Sequence, residues 1–183
     1  MKAMEQAEGP QEEAIHLDGK LRANEILVRE ENQVKWLNER GYGVGDKVVV
    51  LSVPEALFLI ESNKLKVGIR GGDEIGFEQL LRKATKADRN VWNRYLILRD
   101  LRSRGYVARE GYGLGVDFNV YNKGGFPTET PSFLVVGLSE GSPIEFEDLI
   151  SILKRAQSNR KTLVLGVIDR RNEVVYYSIS RLI

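Results

Sequence analysis

Thr162 to Ile168 reads Thr-Leu-Val-Leu-Gly-Val-Ile, a nearly continuous apolar run of seven residues. Strict alternation would mark a strand with one wet face. Unbroken apolarity over so short a stretch marks a central strand covered on both faces. The rest of the second half can be placed around it. Val174 to Ile179 reads as the last strand, with Asp169 to Glu173 as a hairpin-like turn. Upstream, Tyr106 to Arg109, Val116 to Tyr121 and Phe133 to Leu138 are short, bounded by turn residues and rich in strand formers. A helix over 143–156 separates these three strands from the central one. Ser142-Pro143-Ile144-Glu145 predicts its start, because Ser caps, Pro suits the first turn and the Glu three residues on completes a capping box. Phe146, Leu149, Ile150 and Leu153 would supply its buried face. A longer helix over 87–104 comes first, with Val91, Tyr95, Leu98 and Leu101 as its stripe and Gly105 as its C-terminal cap. The order is helix, three strands, helix, two strands, with turns too brief for repeated crossover helices. That predicts a mixed sheet.

The first half reads as a smaller unit. Ile15 to Val28 holds short strands, with Asp18-Gly19 as the turn signal between them. Glu31 to Arg40 is an amphipathic helix through Val34 and Leu37, stopped by Gly41. The β-branched stretch Lys47 to Val53 is a strand, and Pro54 opens a helix over Glu55 to Ser62. Another strand, Lys64 to Ile69, and a short helix carrying Leu80 and Leu81 follow. The expected class is α+β: a small N-terminal α/β domain over 1–85, whose first 13 residues form a solvated, disordered tail, then a C-terminal mixed sheet with flanking helices over 86–183.

Composition removes several chemistries. Lys plus Arg total 27 against 26 Asp plus Glu, so the net charge of +1 gives no overall basic field, and RNA contact would need a local patch. Arg102, Arg104, Arg109, Arg155, Arg160, Arg170 and Arg171 are the candidates for such a surface. No cysteine is present, which excludes disulfides, thiolate nucleophiles and Cys-based zinc sites. His16 is the single histidine, so neither a His-pair metal site nor a Ser-His-Asp triad can be assembled. Neither glycine cluster, Gly41 to Gly45 or Gly111 to Gly115, follows a strand and opens a helix as a phosphate loop would. The acids of Glu145 to Asp148 suit the first turn of a helix by its dipole alone. No metal and no cofactor is assigned. Met1 to Glu13 is polar and acidic, unlike a signal peptide, and no run of ~20 apolar residues occurs, so the expected place is the cytoplasm, off the membrane.

Tyr95 to Tyr121 contains Leu-Arg-Ser-Arg-Gly-Tyr, a glycine turn, then Gly-Val-Asp-Phe-Asn-Val-Tyr, and Arg160-Lys161 precedes the central strand. This combination, over roughly residues 90–183, resembles the catalytic domain of archaeal tRNA-splicing endonucleases. The resemblance implies a restriction-nuclease-like fold and cleavage of precursor tRNA at both exon-intron borders, in bulge-helix-bulge elements and without metal. A Tyr, a His and a Lys assist attack of the RNA's own 2′-hydroxyl, leaving a 2′,3′-cyclic phosphate and a 5′-hydroxyl. The family's Tyr falls on Tyr121 and its Lys on Lys161. Its His falls on Thr130, or on the adjacent Pro131. Thr holds no proton transferable at neutral pH, so the leaving 5′-oxygen loses its acid, a contribution of ~10²–10⁴ in rate.

The resemblance therefore implies the structural, non-catalytic subunit of a heterotetramer, two copies each of this chain and of a catalytic subunit, with Tyr121 and Lys161 vestigial. It further implies that the loop Asn122 to Ser132, with Glu129 as its acid, docks on the catalytic partner, and that last strands pair through Val174, Val175, Tyr176, Tyr177 and Ile179. Arg155 and Arg160 are its candidate RNA contacts. Two alternatives stand beside this: an active metal-independent RNA endonuclease with an altered triad, and an RNA-binding module that shares only the fold.

Overall fold

The structure is a computed structural model that describes residues 15–111, 115–143 and 145–179. The expected tail, 1–13, lies outside the described residues. Among the described residues, five helices and two mixed sheets make an α+β fold.

In the first sheet, β1 (Leu17–Arg22) pairs antiparallel with β2 (Glu25–Val28), β2 with β3 (Val49–Leu51), and β1 runs parallel to β4 (Leu65–Gly68). The turn sits five residues later than Asp18-Gly19 suggested. Those residues lie within β1, in register with Lys66 and Val67 of β4, and the reversal falls at Ala23-Asn24, where Ala23 has φ 55°. Gly19 is a close-approach glycine: a β-carbon there would sit 2.5 Å from Ile26 Cγ2. Helix α1 (Glu31–Glu39) buries Val34 and Leu37.

Helix α2 (Val53–Glu61) starts two residues before Glu55, with Pro54 in its first turn. Glu55 organises that start and the sequence reading missed it. Its carboxylate is buried and accepts from the Ser52 N–H and hydroxyl, both at 3.0 Å, and from the Gly43 N–H at 2.8 Å. Helix α3 (Phe77–Thr85) completes this half.

Helix α4 (Val91–Ser103) is shorter at its start than the 87–104 expected, with Asn90 at its N-cap. Its stripe Val91, Tyr95, Leu98 and Leu101 is buried, and so are Leu96 and Ile97. The helix is enclosed because α2 packs on one side and the second sheet on the other. Gly105, at φ +84°, ends it as expected, with the Tyr106 N–H returning to the Leu101 carbonyl at 3.0 Å.

The second sheet has the order β5 (Val107–Glu110), β6 (Phe118–Tyr121), β7 (Phe133–Ser139), β8 (Thr162–Ile168), β9 (Val174–Ile179). All neighbours are antiparallel except β7 and β8. Helix α5 (Phe146–Ser158) makes the crossover between those two. The central run is covered twice: Val164 and Ile168 face the core beneath α4, and Leu163 the smaller core beneath α5. The start of α5 differs from the expectation. Glu145 is the N-cap and Phe146 the first helical residue, so the Ser142–Glu145 capping box does not form. Phe146 is 72% exposed, and the buried face centres on Ile152 and Ala156, with Leu149 and Leu153 partly covered. Among the described residues no helix is long and apolar enough to cross a membrane.

Candidate functional site

Three strand ends meet at one end of the second sheet. β6 ends at Tyr121, while β7 begins at Phe133 and β8 at Thr162. Val120 is in register with Phe133, and Phe133 with Thr162. The Ser132 N–H donates to the Val120 carbonyl at 2.9 Å, and the Ser132 carbonyl accepts from Thr162 N–H at 3.0 Å. Lys161 precedes Thr162 directly, its N–H closing α5 on the Ala156 carbonyl at 2.8 Å. Tyr121 and Lys161 are therefore carried by topology to the same end of the sheet, and Thr130 lies in the loop that leads into β7. Tyr121 and Lys161 are half-buried and Thr130 is exposed. The only histidine, His16, lies just ahead of β1 in the other sheet, where its carbonyl accepts from Gln33 Nε2 at 3.2 Å.

The loop between β6 and β7 is tightly tied. Asn122 Nδ2 donates to Ser132 Oγ at 2.9 Å, and the Gly125 carbonyl accepts from the Glu129 N–H at 2.7 Å and the Thr128 hydroxyl at 3.1 Å. The Glu129 carboxylate lies back over Gly125, where a β-carbon would sit 2.5 Å from Oε2. Phe126 meets Tyr121 edge to face, centroids 5.1 Å apart.

The other half of the chain braces this loop. At Gly41, φ is +66°, and a β-carbon would be 2.6 Å from Val107 Cγ1 and 3.1 Å from Phe126 Cζ. Arg102 donates to the carbonyls of Arg40 and Gly41, each at 2.7 Å, and of Ala108 at 3.0 Å, with its guanidinium 3.9 Å above the Tyr42 ring. Burial pulls its pKa below the ordinary arginine value. Arg109 donates to the Gly43 carbonyl at 2.8 Å and lies 5.8 Å from the Phe126 ring. These two arginines, expected on a phosphate-contacting surface, instead join the halves of the molecule. The Gly-Tyr-Gly spacing after α1 was the available signal, and nothing local said what it packs against.

Other expected positions sort as follows. Arg171 pairs with Asp169 and Glu173, and Arg104 with Asp100, Nε to Oδ2 at 2.8 Å. Arg155 is half-buried, with Nη1 enclosed and without a partner, while Arg160 and Arg170 are exposed. Strand β9 is an edge. Its Val174 and Tyr176 pack beneath α4, its Ile179 packs beneath α5, and Val175 and Tyr177 are 48% and 54% exposed. Asp117, ahead of β6, accepts from the Gly137 N–H at 2.7 Å and lies near Arg94, which also pairs with Asp88 and Glu110. Burial raises its carboxyl pKa, and the Gly137 N–H and Arg94 only partly oppose that. Among the described residues no three His, Asp or Glu side chains cluster so as to hold a metal ion.

The segment from α4 to β9 is also where known proteins match most of the second half. A family model described as tRNA intron endonuclease, catalytic C-terminal domain, matches residues 91–176, and one described as tRNA intron endonuclease, N-terminal domain, matches residues 17–81. The chain belongs to the tRNA intron endonuclease family. Among similar members, the tRNA-splicing endonuclease of Methanococcus maripaludis is 31% identical, over 91% of this chain and 94% of its own length. That of Thermococcus onnurineus is 32% identical over 90% and 95%, and that of Methanothermobacter thermautotrophicus 34% over 71% and 75%. The resemblance carried by residues 90–183 thus extends to the tRNA intron endonuclease N-terminal domain, whose residues had offered no compact motif.

Proposed function

We propose that this chain acts in removal of introns from precursor tRNA as the structural subunit of a splicing endonuclease, beside a catalytic subunit and with two copies of each. One observation carries the reading: the only histidine, His16, lies just ahead of β1 in the first sheet, whereas by the family resemblance the general acid's position falls on Thr130 or Pro131. Without that acid the 5′-oxygen leaves unprotonated, whatever Tyr121 and Lys161 contribute to binding phosphate. The role left to the chain is geometric. An assembly that cuts two borders needs two sites held at a fixed separation, and subunit interfaces set it.

In this reading the division into units falls near residue 85, the enzyme works in the cytoplasm, and the docking elements are the Asn122–Ser132 loop and the edge strand β9. The exposed Val175 and Tyr177 support the second of these. Glu129, turned back over Gly125, would have to swing outward to meet a basic groove. Arg155 and Arg160 remain its candidate RNA contacts.

The altered-nuclease reading draws on a different observation, that a tyrosine and a lysine still share one end of the sheet. Mass in solution separates the two. With the catalytic subunit added, the structural reading expects a complex of two plus two. A chain that stays apart from it, at concentrations where that subunit is active by itself, would contradict the structural reading.

A further inference from the structure

On the opposite face of the second sheet from Tyr121, a cleft of about 340 Å³ opens between the end of α4 and the sheet. Leu101, Phe133, Tyr106 and Tyr176 are among its lining. Two cations stand at it. Arg104 spends only its Nε on Asp100 and lies 5.8 Å from the Tyr176 ring, and Lys123 lies 5.1 Å over the Tyr106 ring. Lys123 has no carboxylate partner among the described residues, whereas Arg104 has Asp100 beside it. The Tyr176 hydroxyl is buried there beside Asp100. Phe133, at the start of β7, places the cleft at the same strand ends as Tyr121 and Lys161, around the edge of the sheet from them.

We propose that this cleft holds one unpaired nucleotide of RNA, its base against Tyr106, Phe133 and Tyr176 and its phosphate on Lys123 and Arg104. Every base has a face that stacks on an aromatic ring, and single-stranded RNA is held by that stacking together with a cationic track. The two requirements occur together here. An apolar protein side chain would satisfy the aromatic lining but would leave Lys123 without an anion. The inference rests on the reading of the chain as part of a precursor-tRNA enzyme, and it adds a contact by which this subunit itself would favour unpaired nucleotides over continuous helix.

The test is RNA binding by the full chain, followed by anisotropy with a labelled RNA hairpin carrying a bulge and with the same hairpin fully paired. Wild type should prefer the bulged RNA. Lys123→Ala and Tyr106→Ala should each weaken that binding by about tenfold and leave the paired RNA nearly unchanged, while Tyr106→Phe should keep wild-type affinity. A bulged RNA containing 4-thiouridine should crosslink to peptides that hold Tyr106 or Phe133. Equal affinity for both RNAs, or unchanged affinity in Lys123→Ala, an exposed-site variant that leaves the fold intact, would overturn the proposal. So would loss of complex with the catalytic subunit in these variants without change in RNA binding, which would make the cleft a protein contact. Absence of any complex in wild type would instead count against the structural-subunit reading, since the cleft would still discriminate bulged from paired RNA.

Discussion

Thr130 and Lys161 differ in what their replacement can reveal. The hydroxyl of Thr130 cannot donate a proton at neutral pH as an imidazolium can, and it stands exposed. Thr130→His should therefore leave this chain unable to cut, because a catalytic acid also needs its orienting neighbours. Lys161→Ala in this subunit should change single-turnover cleavage by the assembled enzyme less than about twofold, against ~10²-fold or more where a lysine stabilises the transition state. Asp117 allows a test of stability. Burial raises its pKa, so the stability linked to it is fully present below the ordinary carboxylate range and is lost as pH rises through the raised value. Asp117→Asn keeps an acceptor for the Gly137 N–H and removes the titration. Urea midpoints of the variant should gain on wild type between acid and neutral pH, and a difference that stays constant with pH would contradict the assignment.

Elements were legible where their signals are local. The strands 162–168 and 174–179 were read to the residue, since an apolar run and a short turn declare themselves. The helix after β7 was misplaced because Ser142 to Glu145 fits a capping box by residue type, whereas the cap forms at Glu145. The box that does form, at Ser52 and Glu55, stands ahead of a proline helix start whose signal had already been spent. Contacts between halves were illegible: Gly41, Arg102 and Phe126 are far apart in sequence, and only the fold makes them neighbours. Their coupling predicts that Gly41→Ala, with a left-handed φ and no room for a β-carbon, costs on the order of 1–3 kcal/mol. It should also speed amide exchange across residues 122–132 more than in β8. Uniform exchange changes would show that the loop does not depend on this brace.

At the scale of the whole molecule, β9 leaves an edge with two large apolar residues in solvent, a state that native sheets usually cover. Val175→Lys with Tyr177→Glu changes only outward-facing positions, so the chain should stay folded, with an unfolding midpoint within a few degrees of wild type, while its mass in the presence of the catalytic subunit falls below two plus two. Unaltered mass would place the interface elsewhere. The central claim, that this chain supports cutting without performing it, is tested most directly by incubating it, free of any partner, with a precursor tRNA carrying a bulge-helix-bulge element, and repeating the assay with the catalytic subunit added. No cleavage alone and cleavage at both borders in the mixture is the expected result. Metal-independent cleavage by the chain alone, abolished by Lys161→Ala, would contradict it.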